Sequence, residues 1–442
     1  MLPNDFIARQ RRLLGAEYDR FAAAFDRPRS AGIRLNPAKC TAPLPQFCGE
    51  PIPWAPNGYL LLPGTRPGLH PYHDAGVYYL QEPSAMAPAA LLDAQPGQRV
   101  LDLCAAPGGK STQLAAAMRG QGLLVCNEIH PKRARILSSN IERLGIRNAL
   151  VLNEHPAALA ARFAGYFDRI LVDAPCSGEG MFRKEEAALA DWSPETVQMC
   201  AARQYEILCS AAQMLRPGGR LVYSTCTFAP EENEGVVSRF LLAHPDFSIL
   251  SIDAPWFAPG RPDWIDDPAV GLASAFRLWP HLLPGEGQFA AVLERAGEGS
   301  AAEASQACLT PLPAPAADFV RAAGLPFSGG ALRFGETLYL APHGLPELKG
   351  LHVLRAGLEL GEVRKERFLP AHALALALES FPCCISFPAD SREIAAYLRG
   401  ETLPGERTGW TLVCVDGYPL GWAKGSGGTL KNHYPKGLRR PN

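Results

Sequence analysis

Two cysteines of this 442-residue chain stand where a folded sheet would bring them to one reaction centre. Cys176 and Cys226 each follow an apolar run that predicts a strand, at residues 170–173 and 221–224. Parallel strands end at the same edge of a sheet, so both thiols are predicted to lie there. A cysteine is more often a small buried hydrophobe, and we interpret these others in that way: Cys40, Cys48, Cys126, Cys200, Cys209, Cys308, Cys383, Cys384 and Cys414.

A loop of small residues lies between a predicted strand at 100–103 and a predicted helix at 111–118, and it ends in Gly108-Gly109-Lys110. Adjacent glycines let the backbone come close to a ligand at a helix N-terminus. A P-loop would require glycine at Cys104, and the dinucleotide pattern G-x-G-x-x-G is missing. The predicted ligand is S-adenosylmethionine (SAM), which lacks phosphate. Glu128, after the predicted strand at 123–127, supplies an acid for its ribose.

A thiol beside a methyl donor indicates methylation of a pyrimidine carbon. Carbon 5 of a pyrimidine is too weakly nucleophilic to attack a methyl sulfonium unaided. Addition of a thiolate to C6 makes C5 enamine-like; after methylation the C5 proton leaves and the thiol is eliminated. Asp173 is placed to hydrogen-bond N3 or the exocyclic amine of the ring. Methyltransferases that act on nitrogen or oxygen need no such cysteine.

The elements that must position these residues alternate between strand and helix from Val100 to about Arg295. Strands are predicted at 100–103, 123–127, 149–152, 170–173, 221–224 and 288–293, and helices at 131–144 and 193–215 with Ser193 as N-cap of the second. This alternation predicts the α/β class, with a doubly wound, mainly parallel Rossmann-like sheet. The predicted units are an N-terminal α/β cap (1–75), the catalytic domain (76–295), a linker (296–317), a small α+β module (318–380) with a strand at 352–356, and a C-terminal module (381–442).

The composition, with 47% hydrophobic and 20% charged residues, is that of an ordinary soluble globular protein. The first residues are polar and charged and no apolar run reaches membrane-spanning length, so we expect a cytoplasmic protein without a signal peptide or membrane partner. The 12 cysteines include no C-x-x-C pair, which argues against structural zinc. The net charge of -1 excludes a global basic field, so RNA binding would have to come from local patches.

The C-terminal end carries such a patch. From Gly405 onward, six basic residues face two acids, and His433 and Tyr434 lie among them. Residues 410–423 predict a β-hairpin with Asp416-Gly417 as its turn. Basic and aromatic residues on a compact β-rich module are typical of an RNA-docking surface, and a solubilising tail is the alternative.

These motifs resemble those of the RNA (cytosine-5) methyltransferases of the Sun/NSUN family, most closely the RsmF-like branch. The matching stretches are D-L-C-A-A-P-G-G-K at 102–110, D-A-P-C-S-G-E-G-M-F-R-K at 173–184 and Y-S-T-C-T at 223–227, with weaker matches in Q-E-P-S at 81–84 and R-L-W-P-H at 277–281. The resemblance covers residues 34–295 firmly and the remainder loosely. It implies SAM as cofactor, a PUA-like module at 381–442 and small-subunit ribosomal RNA as the substrate.

The resemblance also implies roles for individual residues, with Cys226 attacking the base and Cys176 assisting release. The predicted catalytic residues are Cys226, Cys176 and Asp173. The predicted cofactor-binding residues are Cys104, Ala105, Ala106, Pro107, Gly108, Gly109, Lys110, Glu128, Arg133, Asn153 and Asp173, with the choice between Asn153, Glu154 and His155 left open. The predicted RNA-binding residues are Lys110, Arg183, Lys184, Lys424, Lys431 and Lys436. A monomer without metal is expected, with RNA or an assembling small ribosomal subunit as its partner.

Three alternatives stay open. A DNA cytosine-5 methyltransferase would attack with the Pro-Cys cysteine, Cys176, and should carry Glu-Asn-Val; this chain has Glu232-Asn233-Glu234 after the wrong strand. Those enzymes also lack the Thr-Cys cysteine that is present here as Cys226. Transfer RNA is an alternative substrate to ribosomal RNA. A non-catalytic RNA-binding assembly factor on the same scaffold is the third alternative, and the two cysteines and the full glycine loop argue against it.

Overall fold

The computed structural model of this protein describes residues 2–325 and 330–441. Met1, residues 326–329 and Asn442, which belong to the predicted N-terminal, small and C-terminal units, lie outside these ranges. The chain begins with helices and an antiparallel sheet: α1 (Asn4–Leu14), α2 (Tyr18–Ala24), β1 (Gly32–Leu35), β2 (Cys48–Pro51), β3 (Gly58–Leu61), α3 (Pro71–Asp74) and β4 (Tyr78–Gln81). The sheet order is β2-β3-β1-β4. Because β4 pairs with β1, this unit extends past the predicted end at residue 75.

The catalytic unit alternates strands and helices, as the sequence predicts. Ser193 caps its longest helix by accepting the main-chain N–H of Thr196. The elements are α4 (Ala87–Leu92), β5 (Arg99–Asp102), α5 (Gly109–Met118), β6 (Leu123–Asn127), α6 (Pro131–Arg143), β7 (Ala149–Leu152), α7 (Pro156–Arg162), β8 (Phe167–Asp173), α8 (Glu186–Asp191), α9 (Pro194–Met214), β9 (Leu215–Thr225), α10 (Glu234–Ala243), β10 (Phe247–Ile249), β11 (Ala258–Pro259), β12 (Phe276–Leu278) and β13 (Gln288–Arg295).

Five parallel strands form the middle of a larger sheet, in the order β9-β8-β5-β6-β7. Helices α4, α5 and α6 pack on one face, and α7, α9 and α10 pack on the other. Successive strand residues point to opposite faces, so Leu101 and Ile170 join one core layer while Val100 and Leu171 join the other. The predicted doubly wound α/β fold is therefore confirmed. Antiparallel β13 pairs with β9 and begins at the edge where the parallel strands end.

The C-terminal part contains two further sheets. Asp416 and Gly417 both have positive φ, at 46° and 87°, as the predicted hairpin turn requires. The elements are α11 (Ala314–Ala322), β14 (Ala331–Phe334), β15 (Thr337–Leu340), β16 (Val353–Ala356), β17 (Leu358–Arg364), β18 (Arg367–Pro370), α12 (His372–Ala377), β19 (Cys384–Phe387), α13 (Arg392–Arg399), β20 (Leu403–Pro404), β21 (Gly409–Val415), β22 (Tyr418–Ser426) and β23 (Thr429–Asn432). The sheet orders are β14-β15-β17-β18 and β19-β21-β22-β23-β20.

Strand β16 lies within the predicted small α+β module, but it pairs in the central sheet and not in the module's own sheet. It pairs antiparallel with β7, with Val353 opposite Leu152 and Ala356 opposite Leu150. Without β16, the outer edge of β7 would present unpaired main-chain N–H and C=O groups. The small module therefore completes the catalytic sheet.

Residues 296–317, the predicted linker, lie against the surface of the catalytic unit. Ala302 donates its N–H to the carbonyl of Gly165 at 2.9 Å, and its own carbonyl accepts from Arg99 at 2.7 Å. The side chains of Ala304 and Ala307 pack against the core. Small side chains, which gave this stretch its linker-like composition, let the segment lie close to the surface beneath it.

The N-terminal unit and the C-terminal module share one hydrophobic cluster, which includes Ile33 from β1 and Tyr397 from α13. Polar contacts cross the same interface, since the hydroxyl of Tyr72 donates to Asp416 at 2.9 Å. A cut after residue 296 would open this cluster and the edge of β7, so we do not expect the catalytic unit to fold alone. In the described part of the chain, no helix combines the length and the hydropathy of a membrane span.

Candidate active site

The predicted glycine loop joins β5 to α5 at the edge where the parallel strands end. Gly108 has a φ of 112°, a conformation that residues with a Cβ rarely adopt. A Cβ on Gly109 would lie 3.2 Å from the ring of Tyr79. From the other side, Arg133 on α6 donates to the carbonyl of Ala106 at 2.9 Å. The backbone of the glycine loop is therefore held in place on both sides, directly before helix α5.

Three carboxylates surround the Cys104 thiol in this loop. Burial, followed by the charges of Asp102, Asp173 and Glu128, raises the pKa of Cys104, so it remains a neutral thiol. Burial also raises the pKa of Asp102 to about 7. One oxygen of Asp102 accepts from the Ser111 hydroxyl at 2.6 Å, and the other is buried without a hydrogen-bond partner among the described residues. These three acids outnumber the two cations beside them, Lys110 and Arg133, so the site disfavours a phosphate and suits a cationic sulfonium, and these residues fit SAM.

Glu128 lies directly after β6 and is only 3% exposed. Its carboxylate accepts the main-chain N–H of His130 at 2.9 Å and lies 3.5 Å from the guanidinium of Arg133. The amide of Asn153 donates to the main-chain carbonyls of Glu128 and Ile129, at 2.6 and 2.9 Å. Glu128, Arg133 and Asn153 are therefore brought together beside the glycine loop.

The two residues after Asn153 have other partners. The carboxylate of Glu154 accepts the main-chain N–H of His352 at 2.7 Å. The ring of His155 accepts the N–H of Ala157 and caps α7. Of the three residues left open by the sequence, Asn153 is thus the one whose side chain contacts the turn after Glu128.

Asp173 ends β8 and is held by three donors. Lys110 donates to one carboxylate oxygen at 2.8 Å, and the side chains of Ser224 and Gln288 donate to the other at 2.7 and 3.1 Å. Burial alone would lower the pKa of Lys110, but the attraction of Asp173 outweighs it and the net shift is upward, so Lys110 stays cationic. The Asp173 side chain is still 30% exposed and accessible to a substrate.

Cys176 and Cys226 meet at the ends of β8 and β9, where their Sγ atoms lie 3.2 Å apart. The hydrogen bond to Cys226, followed by burial, raises the pKa of Cys176 well above its ordinary value. Cys176 therefore keeps its proton, and its thiol lies within hydrogen-bond distance of the Cys226 sulfur. The N–H of Gly180 donates to the carbonyl of Cys226 at 2.7 Å, which joins the two loops through the main chain.

Several residues around this site are not among those predicted from the sequence. Gln288 starts β13, and its position beside Asp173 could have been found only by predicting that this strand runs antiparallel. Ser177 and Thr227, which follow the two cysteines, are hydrogen-bonded to each other at 3.0 Å. Ser177 also donates to the buried carboxylate of Glu232. No sequence signal marks this contact, because it depends on how two distant loops meet.

The structure separates the predicted RNA-binding residues. The side chain of Arg183 is only 11% exposed, and its guanidinium donates to Glu286 and to the carbonyl of Ala24, both at 2.7 Å. Arg183 thus fastens the N-terminal helices to the catalytic unit, and the structure contradicts its predicted contact with RNA. Lys110 is occupied with Asp173. The exposed members of the set are Lys184, Lys424, Lys431 and Lys436.

Comparisons with known proteins agree with this fold. Four families match successive parts of the chain: the N-terminal domain of 16S rRNA methyltransferase RsmF at 2–83, 16S rRNA methyltransferase RsmB/F at 89–294, the first C-terminal domain of RsmF rRNA methyltransferase at 318–378 and the methyltransferase RsmF PUA domain at 384–440. The ribosomal RNA small subunit methyltransferases F of Cronobacter sakazakii and Escherichia coli are 34% and 33% identical to this chain, over 99% of it and 96% of their own lengths.

A crystal structure of a methyltransferase homolog protein from Pyrococcus horikoshii is 30% identical, with a TM-score of 0.58 over 65% of this chain and 93% of that one. The predicted family, fold class and cofactor are thereby confirmed. Because the match to the bacterial relatives spans almost the whole length of both chains, the chain belongs to the RsmB/F family of SAM-dependent 16S rRNA methyltransferases.

Proposed function

We propose that this protein transfers a methyl group from SAM to C5 of a cytosine in 16S ribosomal RNA. The observation that carries the proposal is the contact between two thiols at the ends of the adjacent parallel strands β8 and β9. Methylation of nitrogen or oxygen needs no thiol, whereas C5 of a pyrimidine must first be activated by addition at C6. The substrate class rests on the relatives, which are named as small-subunit ribosomal RNA methyltransferases.

Cys226 is the proposed nucleophile. Its thiolate forms a bond to C6 of the cytosine, and the electrons of the C5–C6 double bond make C5 nucleophilic. SAM, when bound, supplies an electrophilic methyl group. Asp173 accepts a hydrogen bond from the exocyclic amine of the ring, and Lys110 holds that carboxylate in place. The Lys110 ammonium also offsets the negative charge that the ring gains.

Cys176 is proposed to assist release of the methylated cytosine from Cys226. Before the reaction, its hydrogen bond to Cys226 is the largest cause of its raised pKa. Once the Cys226 sulfur is bonded to C6, it is a thioether and a weak acceptor, so Cys176 can lose its proton more readily and pass it to solvent water. The Cys176 thiolate then takes the C5 proton, directly or through a water. The bond between Cys226 and C6 breaks, and Cys226 leaves as a thiolate.

The cofactor is proposed to lie on the glycine loop, with the Glu128 carboxylate binding the ribose hydroxyls. Of the other acids in the set, Asp173 is balanced by Lys110, and Asp102, whose pKa is about 7, contributes part of a negative charge toward the cationic part of SAM. Arg133 and Asn153 support Glu128 and its turn through the contacts described above. The full proposed set is Asp102, Cys104, Ala105, Ala106, Pro107, Gly108, Gly109, Lys110, Glu128, Arg133, Asn153 and Asp173.

Replacing Glu128 with alanine should weaken SAM affinity by about 1.5–3 kcal/mol, or about tenfold to a hundredfold, because the ribose loses a charged hydrogen-bond acceptor. Isothermal calorimetry on the full-length protein measures this change. Glu294→Ala removes an exposed glutamate from the end of β13 and should leave the affinity unchanged. Unaltered affinity in Glu128→Ala, with an unchanged melting temperature, would place the ribose elsewhere.

RNA docking is proposed to use the exposed lysines of the C-terminal module. Lys424 on β22 lies directly opposite Lys431 on β23, and the Nζ of Lys424 is 5.3 Å from the centre of the Trp410 ring. Like charges directly opposite each other across two strands repel. A phosphate between the two lysines would relieve that repulsion, and the exposed part of Trp410 offers a surface for a base.

The double variant Lys424→Ala/Lys431→Ala should bind RNA more weakly than the wild type, with a shallower dependence on salt. Each lost contact with a single-stranded phosphate should reduce the slope of log K against log salt by about 0.7. Filter binding to a 16S rRNA fragment at several salt concentrations measures the slope. Lys349→Ala, which removes an exposed lysine from the 341–352 loop, should retain the wild-type slope. A slope shared by all three proteins would remove the two lysines from the RNA-binding surface.

The proposed function is tested by incubating the full-length protein with methyl-labelled SAM and either 16S rRNA or small ribosomal subunits. Digestion to nucleosides should release the label as 5-methylcytidine. Bisulfite mapping of ribosomal and transfer RNA, from cells with and without the gene, should locate the modified cytosine in 16S rRNA. Label on a ring nitrogen or a ribose oxygen, or sites confined to transfer RNA, would contradict the proposal.

A further inference from the structure

The residues that follow the two cysteines join their loops. The hydroxyl oxygens of Ser177 and Thr227 lie 3.0 Å apart. Ser177 also donates its main-chain N–H, at 3.0 Å, and its hydroxyl to the carboxylate of Glu232. A serine hydroxyl has a single hydrogen, so Ser177, which gives that hydrogen to Glu232, accepts from Thr227. A chain of hydrogen bonds therefore runs from Thr227 through Ser177 to Glu232.

Glu232 is itself held by groups outside the two loops. Its side chain is fully buried. Gln204 on α9 donates to the Glu232 carboxylate at 2.7 Å and to the carbonyl of Pro175 at 3.0 Å, directly before Cys176. The hydroxyl of Tyr223 donates to the main-chain carbonyl of Glu232 at 2.6 Å. The main chain on both sides of Cys176 is therefore bound to one buried network.

We propose that Glu232 is the positioning residue that holds the thiols of Cys176 and Cys226 in contact, acting through Ser177 and Thr227. We refer to Ser177, Thr227 and Glu232 as the clasp. The carboxylate of Glu232 accepts hydrogen bonds from Ser177, the residue after Cys176, and it does not touch the reacting atoms. The consequence for catalysis rests on the proposed cytosine chemistry, but the thiol contact can be measured without RNA or SAM.

The clasp requires an ionised Glu232. An ionised carboxylate accepts from the two donors of Ser177 and from Gln204, whereas a protonated one carries a hydrogen of its own and loses an acceptor site. Burial raises the pKa of Glu232 to about 7, against the opposing hydrogen bonds from Ser177. The clasp should therefore weaken as the pH falls below about 7. The titratable groups facing Glu232 are Cys176, Glu179, Cys200 and Tyr223.

Phenylarsine oxide, a trivalent arsenical that bridges two neighbouring thiols, tests the contact in the full-length protein. Other cysteines can also bind the reagent. The part of the binding that is lost in Cys176→Ala therefore measures binding by the pair Cys176 and Cys226. Glu232→Gln should weaken that binding by about tenfold or more, since the buried donors lose their charged acceptor. Glu231→Gln, at the adjacent glutamate outside the clasp, should bind as the wild type does. Equal binding by the wild type and Glu232→Gln would overturn the proposal.

A pH profile separates positioning from a general loss of structure. The ratio of the wild-type kcat to the kcat of Glu232→Gln should be about 10 or more at about pH 8. The ratio should fall toward one at about pH 5.5, where the wild-type carboxyl is protonated, while KM for RNA stays unchanged. Because the charge of Glu232 also contributes to the raised pKa of Cys176, the ratio is read together with the arsenical affinity, which needs no catalysis. A ratio that does not change with pH would overturn the proposal.

SAM binding by calorimetry shows whether Glu232→Gln is folded at both pH values. Should that variant fail to fold, Ser177→Ala removes only the hydroxyl link and should also lower the arsenical affinity; unchanged affinity would overturn the proposal. Failure of the proposed function has a different signature. Methylation that survives in Cys226→Ala would contradict the cytosine chemistry, and the arsenical measurement would still decide the role of Glu232.

Discussion

Replacing Cys226 with alanine should reduce methyl transfer to RNA by about 10⁴-fold or more and leave SAM affinity unchanged. Without the thiolate, C5 of the cytosine is not activated, so the chemical step loses its first intermediate. The cofactor is proposed to lie on the glycine loop and Glu128, which this substitution does not touch. Initial rates with labelled SAM give the first quantity, and calorimetry gives the second.

Cys209→Ala is the matched control for this experiment. Cys209 is a partly buried thiol on α9, with its sulfur 3.5 Å from the ring of His244 and no part in the proposed chemistry. This variant should keep nearly full activity. If Cys226→Ala instead retained activity within about tenfold of the wild type, the assignment of the nucleophile would be wrong.

Replacing Cys176 with alanine should stop the reaction after methylation, because the C5 proton then has no nearby thiolate to receive it. A covalent complex between protein and RNA should accumulate toward one RNA per protein, and turnover should fall by about 10²- to 10⁴-fold. The complex should survive denaturing electrophoresis and contain methylated cytosine. The raised pKa of Cys176 and its contact with Cys226 are the structural basis for assigning it this later step.

The double variant Cys176→Ala/Cys226→Ala provides the control, since it lacks both thiols and should form no covalent complex. Its SAM affinity should match that of the wild type. A match would show that the double variant retains the fold. A complex of equal yield in the double variant would mean that a group other than these two cysteines bonds to the base.

Local pattern was sufficient to predict much of the catalytic sheet. The five parallel strands were recognisable because each contains a short apolar run, as expected for strands covered on both faces. In the structure, Val100 and Leu101 are indeed buried on opposite faces of the sheet. The turn at Asp416-Gly417 was predictable because these residue types tolerate positive φ. The meeting of Cys176 and Cys226 followed from the shared edge at which parallel strands end.

Features that depend on tertiary pairing could not be predicted in this way. Three of the four residues of β16 are apolar, and so short a segment does not specify its partner, which is β7 in the central sheet. Arg183 has the residue type of an RNA contact, yet the buried Glu286 and the helix end at Ala24 engage its guanidinium. Residues 296–317 have the composition of a linker, although their small side chains pack on the catalytic unit.

The most direct test of the account is to identify which cysteine becomes bonded to RNA. Cys176→Ala and Cys226→Ala are each incubated with 16S rRNA and SAM, digested with nuclease and protease, and examined by mass spectrometry. We predict a methylated cytidine on the peptide that contains Cys226 in the Cys176→Ala sample, and no nucleoside on any peptide of the Cys226→Ala sample. A cytidine attached to Cys176 in the Cys226→Ala sample, with none in the other, would reverse the two roles and contradict the account.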